Sequence, residues 1–412
     1  MTLVVAVLAD AGIFILLAWC IWRALGRSIP IAVIPIIIGL VLAASGGART
    51  LGVPSLWGDR IGWIGVLLLA FTAGLETRHF KYDGDQDSEP SRYRATPARL
   101  MASAATALLL PFVLGSIAAY GYFTGLEHWA PPRAGDGLGS LAIGLCVAVS
   151  ALPVLIGIVR ELGPLHRPLT QVAVGLAVVD DAVLWMGLAL LLFAANRGAG
   201  ELGGSLWHAV AVITPIAMAI GSRLIQRHGW TPPLPIIVIV LPLSLAAGSW
   251  ASAQLGLHEL LGAYFAGVIL PPNWTRRLPV ETLGRFALVA LAPLFFGHSG
   301  LKIDGDALGW ASLQASLLLL VLSVASKLLA VRLCPPVAGF SHRETLAVGA
   351  LLQCKGLMEI VAATILRDAG LLSEHAFAAL VTLAVLSTLL TGPAFRLILR
   401  QRSEKNAAQR VA

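Results

Sequence analysis

The sequence predicts an all-α polytopic membrane protein of about 13 transmembrane helices, built from inverted repeats with discontinuous helices. Three observations carry that expectation. Hydrophobic residues make up 57% of the 412 and charged residues 12%, with a mean hydropathy of +0.83, whereas a soluble domain carries about 25% charged residues. Apolar runs of about 20 residues, the length that crosses a hydrocarbon core, recur from end to end. Lys and Arg fall mainly in alternate loops, so the net charge of +7 and the pI of 9.6 reflect membrane topology, and no nucleic-acid partner is expected.

In chain order the spans are expected at roughly 3–22, 29–45, 61–77, 98–123, 139–160, 169–195, 205–222, 234–253, 257–271, 284–301, 309–332, 344–366 and 374–399. The first lacks a charged start and continues for a full span, so it reads as a membrane helix rather than a cleavable signal. Two runs, 29–45 and 257–271, are short for a crossing. With the C-terminus placed in the cytoplasm, 21 Lys and Arg fall on the inner side and 6 on the outer, and Lys327 and Lys355 fall within spans. That bias predicts an odd number of spans in a plasma membrane (a bacterial inner membrane), N-terminus outside. The polar stretch 78–97 reads as a cytoplasmic loop. Residues 400–412 read as a short cytoplasmic tail, with no soluble regulatory domain expected after it. Cys20, Cys146, Cys334 and Cys354 have no metal-ligand spacing and read as packing residues.

The chemistry is expected around LTQVAVGLAVVDDAVLWMGLALLLFAAN, 169–196, where Asp180 and Asp181 interrupt an apolar run. A carboxylate at mid-membrane costs roughly 2.5–3.5 kcal/mol. Two neighbouring ones cannot both stay ionised without a cation, a proton or a basic partner. Adjacent helical residues point about 100° apart, which suggests divided roles, one facing an ion cavity and the other a neighbouring helix.

The fifth span contains VAVSALPVLIGIV, 147–159. Pro153 lacks a backbone donor, so the helix is expected to kink or open near Ser150 and Ala151. Freed carbonyls and the Ser150 hydroxyl would then offer hard oxygen ligands to a small cation, unless the kink merely packs against its neighbours. The twelfth span contains LLQCKGLMEIV, 351–361, with Gln353, Lys355, Gly356 and Glu359 near its centre. Lys355 and Glu359 are four apart and can neutralise one another on one face, while Gly356 weakens the helix. Each of these spans precedes one further span, the pattern of inverted repeats.

Lys327 either snorkels to the headgroups or reaches an aspartate, while counting residues from the inner surface favours Lys355 as the partner of Asp180. Weaker signals are Glu76 at the end of span three, His258 and Glu259 as caps of span nine, His298 as a hydrogen-bonded structural histidine, and Asp10 directed toward the outer surface.

At these residues the chain resembles the monovalent cation:proton antiporters of family two, which include bacterial sodium/proton antiporters, plant cation/H+ exchangers and bacterial potassium efflux systems. The similarity runs from FTAGLE (71–76) through SALPVLIGIVRELGPL (150–165), QVAVGLAVVDDAVLW (171–185), GLHELLGAYFAGVILP (256–271), APLFFGHSGLKID (292–304) and SKLLAVRL (326–333) to CKGLMEI (354–360). The resemblance implies a core domain from 98–195 and 309–399, in which the broken fifth and twelfth spans cross beside the aspartates. It implies dimerisation helices in 1–77 and 234–303, joined through a linker helix at 205–222. By the same analogy Asp181 is the cation and proton ligand, Asp180 pairs with Lys327, Ser150 sits at the crossover, and Lys355 is a second basic position. Departures are the Asp-Asp pair where other branches have Asn-Asp or Gln-Asp, Gln353-Cys354 where Asn-Thr is frequent, and the missing nucleotide-sensing domain.

The expected activity is electrogenic exchange of Na+, with Li+ or K+ as alternatives, for protons by alternating access, in a homodimer. Asp180 and Asp181 would hold the metal transiently, and no cofactor and no enzymatic reaction are expected. A K+/H+ exchanger of the same family and a non-transporting membrane sensor or subunit on the same fold are the competing expectations. An intramembrane acyltransferase is disfavoured because no His/Asp cluster gathers near one interface.

Overall fold

A computed structural model of the chain describes residues 3–24, 31, 33–45, 47, 53–79, 96–162, 166–195, 206–255, 258–275, 277, 279–303, 307 and 309–411. Among them the regular structure is entirely helical. Helix α1 runs from Leu3–Asp10 through a π-helical stretch, Ala11–Leu17, into Ala18–Ala24. It is followed by α2 (Val33–Ala44), α3 (Leu56–His79), α4 (Pro97–Ala118, with a π-helical end at Ala119–Phe123), α5 (Asp136–Ala148), α6 (Leu152–Leu162) and α7 (Arg167–Ala195). The second half holds α8 (Leu206–His228), α9 (Leu234–Gln254), α10 (Glu259–Ile269) and α11 (Val280–Phe286, then Ala287–Leu291 and Ala292–Leu301). It closes with α12 (Trp310–Leu333), α13 (His342–Leu351), α14 (Leu357–Asp368) and α15 (Glu374–Val411).

Eight of the described helices, α1, α3, α4, α7, α9, α11, α12 and α15, are long and apolar enough to cross a membrane, and α2, α5 and α10 are shorter apolar helices. The expected 13 spans are therefore not matched by 13 full-length rods. Two of them divide into halves, and α2 and α10, at 12 and 11 residues, reach only about 16–18 Å. Leu190, Phe193, Ile117, Val321 and Trp310 are exposed, as suits side chains whose solvent is lipid. The expected loop 78–97 lies mostly outside the described residues. Helix α15 continues through the expected tail 400–412 as far as Val411, since neither Gly nor Pro interrupts 394–411.

The helices form two compact units. One comprises Met1–Gly26, Ile34–Gly84 and Leu192–Lys302. Its interior includes Phe71 and Leu75 of α3, Ile237 and Leu241 of α9, and Ala266 of α10. Helices α9 and α10 approach so closely that a Cβ on Gly262 would lie 2.0 Å from the Gly248 carbonyl oxygen, the small-residue contact that stands in for the hydrophobic effect between membrane helices.

The other unit comprises Arg27–Val33, Asp85–Leu191 and Ile303–Ala412. Here α4 packs on α5 and α12, and α15 packs on α12, α13 and α14. Local signals set the helix starts: Thr96 accepts from the Arg99 amide with Pro97 in the first turn, and Ser341 and Glu344 form a capping box at the head of α13.

Both expected breaks fall in this second unit. Helix α5 stops at Ala148, Val149 is extended (φ −77°, ψ 155°), and helix resumes at Leu152. Pro153, having no N–H, is tolerated in the first turn of α6 where that donor has no helical partner. Helix α13 stops at Leu351 and α14 starts at Leu357. Between them Gly356 takes φ 83° and ψ −140°, a region essentially reserved for glycine.

Candidate functional site

The two breaks meet. The Ala151 amide donates to the Cys354 carbonyl at 2.7 Å, so one unwound segment closes a backbone bond of the other. A helix end leaves its last four carbonyls unbonded, and in an apolar interior each is costly. Two lysines answer this at the end of α5. Lys355 Nζ donates to the carbonyls of Cys146 (2.8 Å), Val147 (2.6 Å) and Val149 (3.3 Å). Lys327 Nζ, from α12, donates to Ala148 (2.5 Å). Positive charge here also offsets the negative end of the α5 dipole. At the second break the Leu352 carbonyl lies 2.6 Å from Ser150 Oγ, and Ser387 Oγ donates to the Gln353 carbonyl.

The carboxylates lie beside this crossing. Asp180 Oδ2 accepts from Lys327 Nζ at 3.0 Å, and Ser150 Oγ stands 2.6 Å from it. Ser150 also accepts from Lys327 Nζ at 2.6 Å, and its single proton serves either Asp180 or Leu352 at any moment. Asp180 Oδ1 is buried and takes no hydrogen bond among the described residues. Asp181, one position on, is 1% exposed, as are Asp180, Lys327 and Lys355.

The partner suggested by counting depth is thus corrected: Lys327, not Lys355, holds Asp180. The count treats every span as one straight rod, whereas the break displaces Lys355 onto the α5 carbonyls. Lys355 keeps its second expected contact, with Glu359 Oε2 at 3.9 Å, but Lys355 stands outside the helix that carries Glu359. Gln353 Oε1 accepts from Ser323 Oγ at 3.2 Å, and its Nε2 donates to the Ser323 carbonyl at 3.1 Å. This ties the break to α12. Ser323 and Ser387, both buried, belong to the crossing and went unread in the sequence. Their signal would have been hydroxyls recurring inside apolar helices, Ser323 with Ser326 and Ser387 with Thr388 and Thr391.

Gly356 carries a sharp prediction. A Cβ there would lie 2.8 Å from Val154 Cγ2, in a backbone conformation that costs other residues of order 1–3 kcal/mol. Gly356→Ala is expected to lower the thermal midpoint of the purified protein, whereas Gly392→Ala, with open space at its Cβ position, leaves it nearly unchanged.

Of the weaker signals, His258 caps α10 by accepting from the Leu260 amide, and Glu259 accepts from Trp63 Nε1 at 2.9 Å. The Glu76 side chain lies outside the described residues. Asp10 is corrected. It is fully buried, because Ser55, immediately before α3, offers it an amide (2.8 Å) and a hydroxyl.

A membrane bundle in which two unwound segments meet beside buried, lysine-compensated carboxylates has the architecture of ion-coupled secondary transporters. The chain belongs to the sodium/hydrogen exchanger transmembrane family, whose model matches residues 12–401, so the resemblance read from the sequence holds. Cation/H(+) antiporter 17 of Arabidopsis thaliana is 26% identical over 349 residues, covering 81% of this chain. The chain spans only 40% of the length of that plant relative. The Na(+)/H(+) antiporter NhaS4 of Synechocystis is 25% identical, over 80% of this chain and 79% of its own. Among solved structures, the sodium proton antiporter MjNhaP1 from Methanocaldococcus jannaschii at pH 8 superposes with a TM-score of 0.60 at 14% identity, over 97% of this chain and 98% of that one. That likeness shows a shared fold.

Proposed function

We propose that the protein is a secondary antiporter exchanging a monovalent cation, Na+ before Li+ or K+, for protons by alternating access. One observation carries the reading: Asp180, Ser150 and Lys327 form a closed, buried network at the crossing of two broken helices, with a second buried carboxylate, Asp181, next to it. Protons and cation compete for Asp181. At low internal pH the site holds a proton, and rising pH frees it for the metal. Asp180 Oδ1 and the Ser150 hydroxyl are the further hard oxygens within the network.

In this reading the helices of 98–195 and 309–399 are the moving core, and those of 1–77 and 234–303 are the scaffold of a homodimer, linked through 205–222. The protein sits in a bacterial inner membrane with its N-terminus outside and its C-terminus in the cytoplasm. The family membership and the antiporter activity of the relatives it resembles support the exchange itself.

The test is a cation panel. Purified protein in liposomes with an internal pH dye is expected to move protons on addition of Na+, Li+, K+ or Rb+, and the largest response names the cargo. A K+ response above that to Na+ would make it a K+/H+ exchanger. Silence with all four, together with capture of a specific protein partner, would leave the sensor reading standing in its place. Asp180→Asn is expected to give a slower, electroneutral exchanger. Under an imposed membrane voltage its rate should no longer respond, and an unchanged voltage response would refute the charge assignment.

A further inference from the structure

The unit holding α1, α3 and α11 contains a second group of ionisable side chains, a His/Asp cluster that the sequence did not announce. His298 of α11 is 1% exposed. Its Nδ1 is hydrogen-bonded to Asp59 Oδ1 of α3 at 3.1 Å, and its Nε2 lies 3.3 Å from Asp10 Oδ1 of α1, within ion-pair range though not aligned as a hydrogen bond. Asp10 Oδ2 is already committed to the Ser55 amide and hydroxyl at the head of α3. Gly58 makes room for this, since a Cβ there would meet Asp10 Oδ2 at 2.2 Å. The Phe14 ring stands edge-on to the imidazole, 5.5 Å between centroids. Lys302 follows directly after α11.

A neutral imidazole has one N–H and one bare lone pair. With a carboxylate oxygen against each nitrogen, a neutral ring would set a lone pair against an anion inside an apolar bundle. One additional proton removes the conflict, whether it rides on Nε2 or on Asp10 Oδ1, because either placement turns that 3.3 Å contact into an attraction. The Asp59 side chain is 49% exposed while that of Asp10 is fully buried, so Asp59 is the more accessible of the two carboxylates.

We propose that Asp10, His298 and Asp59 form a second proton-binding site, separate from the acidic pair of α7, whose bound proton fastens α1 to α3 and α11. Loss of that proton at alkaline pH sets Asp10 against a bare ring nitrogen and loosens α1. The proposal is independent of the antiport reading, since none of its groups belongs to the crossing of the broken helices.

Hydrogen–deuterium exchange of the full chain in lipid nanodiscs tests it, reading the amides of Leu3–Ala24 and correcting for intrinsic pH dependence. The wild type is expected to exchange there about tenfold faster at alkaline than at acid pH, the factor that corresponds to one unit of proton linkage. Asp10→Asn should keep α1 protected and flatten the dependence, because the amide can donate to a neutral ring while its oxygen still serves Ser55. His298→Gln should flatten it as well. Wild-type exchange that does not vary with pH, or an Asp10→Asn protein that keeps the wild-type dependence, would overturn the proposal. The Asp10→Asn arm decides the matter if His298→Gln does not fold.

Discussion

Asp181→Asn is expected to reduce cation-dependent proton movement in liposomes to the level of protein-free vesicles while leaving the thermal midpoint intact. The asparagine side chain matches the shape of aspartate but can neither release a proton nor neutralise a metal ion. A unit charge pair at about 4 Å in an effective dielectric of about 20 is worth about 4 kcal/mol, or about a thousandfold in affinity. Removing a buried charge also removes its desolvation cost, so the fold has no reason to suffer.

Two readouts make the result specific. Addition of the cargo cation should raise the thermal midpoint of the wild type and not of the variant, since ligand stabilises only what it binds. Apparent cation affinity of the wild type should weaken as pH falls, about tenfold per unit once the proton outcompetes the metal. In the variant, any residual binding should be flat with pH. A variant that exchanges like the wild type would remove Asp181 from the mechanism, and one that unfolds would show that its carboxylate is structural.

How much of this was legible in the chain can be argued from particular residues. The break near Ser150 was readable because Pro153 lacks a donor, and the break near Gly356 because glycine is expensive inside a helix. The acidic pair stood out because carboxylates in an apolar run have no ordinary role. What periodicity could not supply was the use of each lysine. Lys355 satisfies carbonyls at the end of a helix about 200 residues earlier in the chain, and nothing local announces that need. Asp10 failed for a related reason. Its burial depends on donors at Ser55, 45 positions away, so a reading from its own helix sends it to the surface. The closure of the two breaks on each other was likewise invisible, since Ala151 and Cys354 meet only through the fold.

Lys327→Met is expected to destabilise the protein by about 3–5 kcal/mol, the cost of leaving one member of a buried ion pair uncompensated. The loss has three parts in the structure. Asp180 Oδ2 loses a charged donor at 3.0 Å, Ser150 loses one at 2.6 Å, and the Ala148 carbonyl at the end of α5 loses its partner at 2.5 Å. Adding Asp180→Asn cures only the first, because the neutral amide no longer asks for a cation. The double variant should therefore regain most of the thermal stability lost by Lys327→Met, yet remain below the wild type by about 1–3 kcal/mol for the unsatisfied carbonyl. Denaturation of the four proteins of this cycle, in detergent at one pH, measures the coupling directly. Lys327→Arg offers a second comparison: it keeps the charge, but its rigid planar fork fits poorly where one small ammonium serves a carboxylate, a hydroxyl and a carbonyl at once. If the two single losses simply add in the double variant, the contact between Lys327 and Asp180 contributes nothing to holding the site, and the charge balance beside Asp181 is set elsewhere.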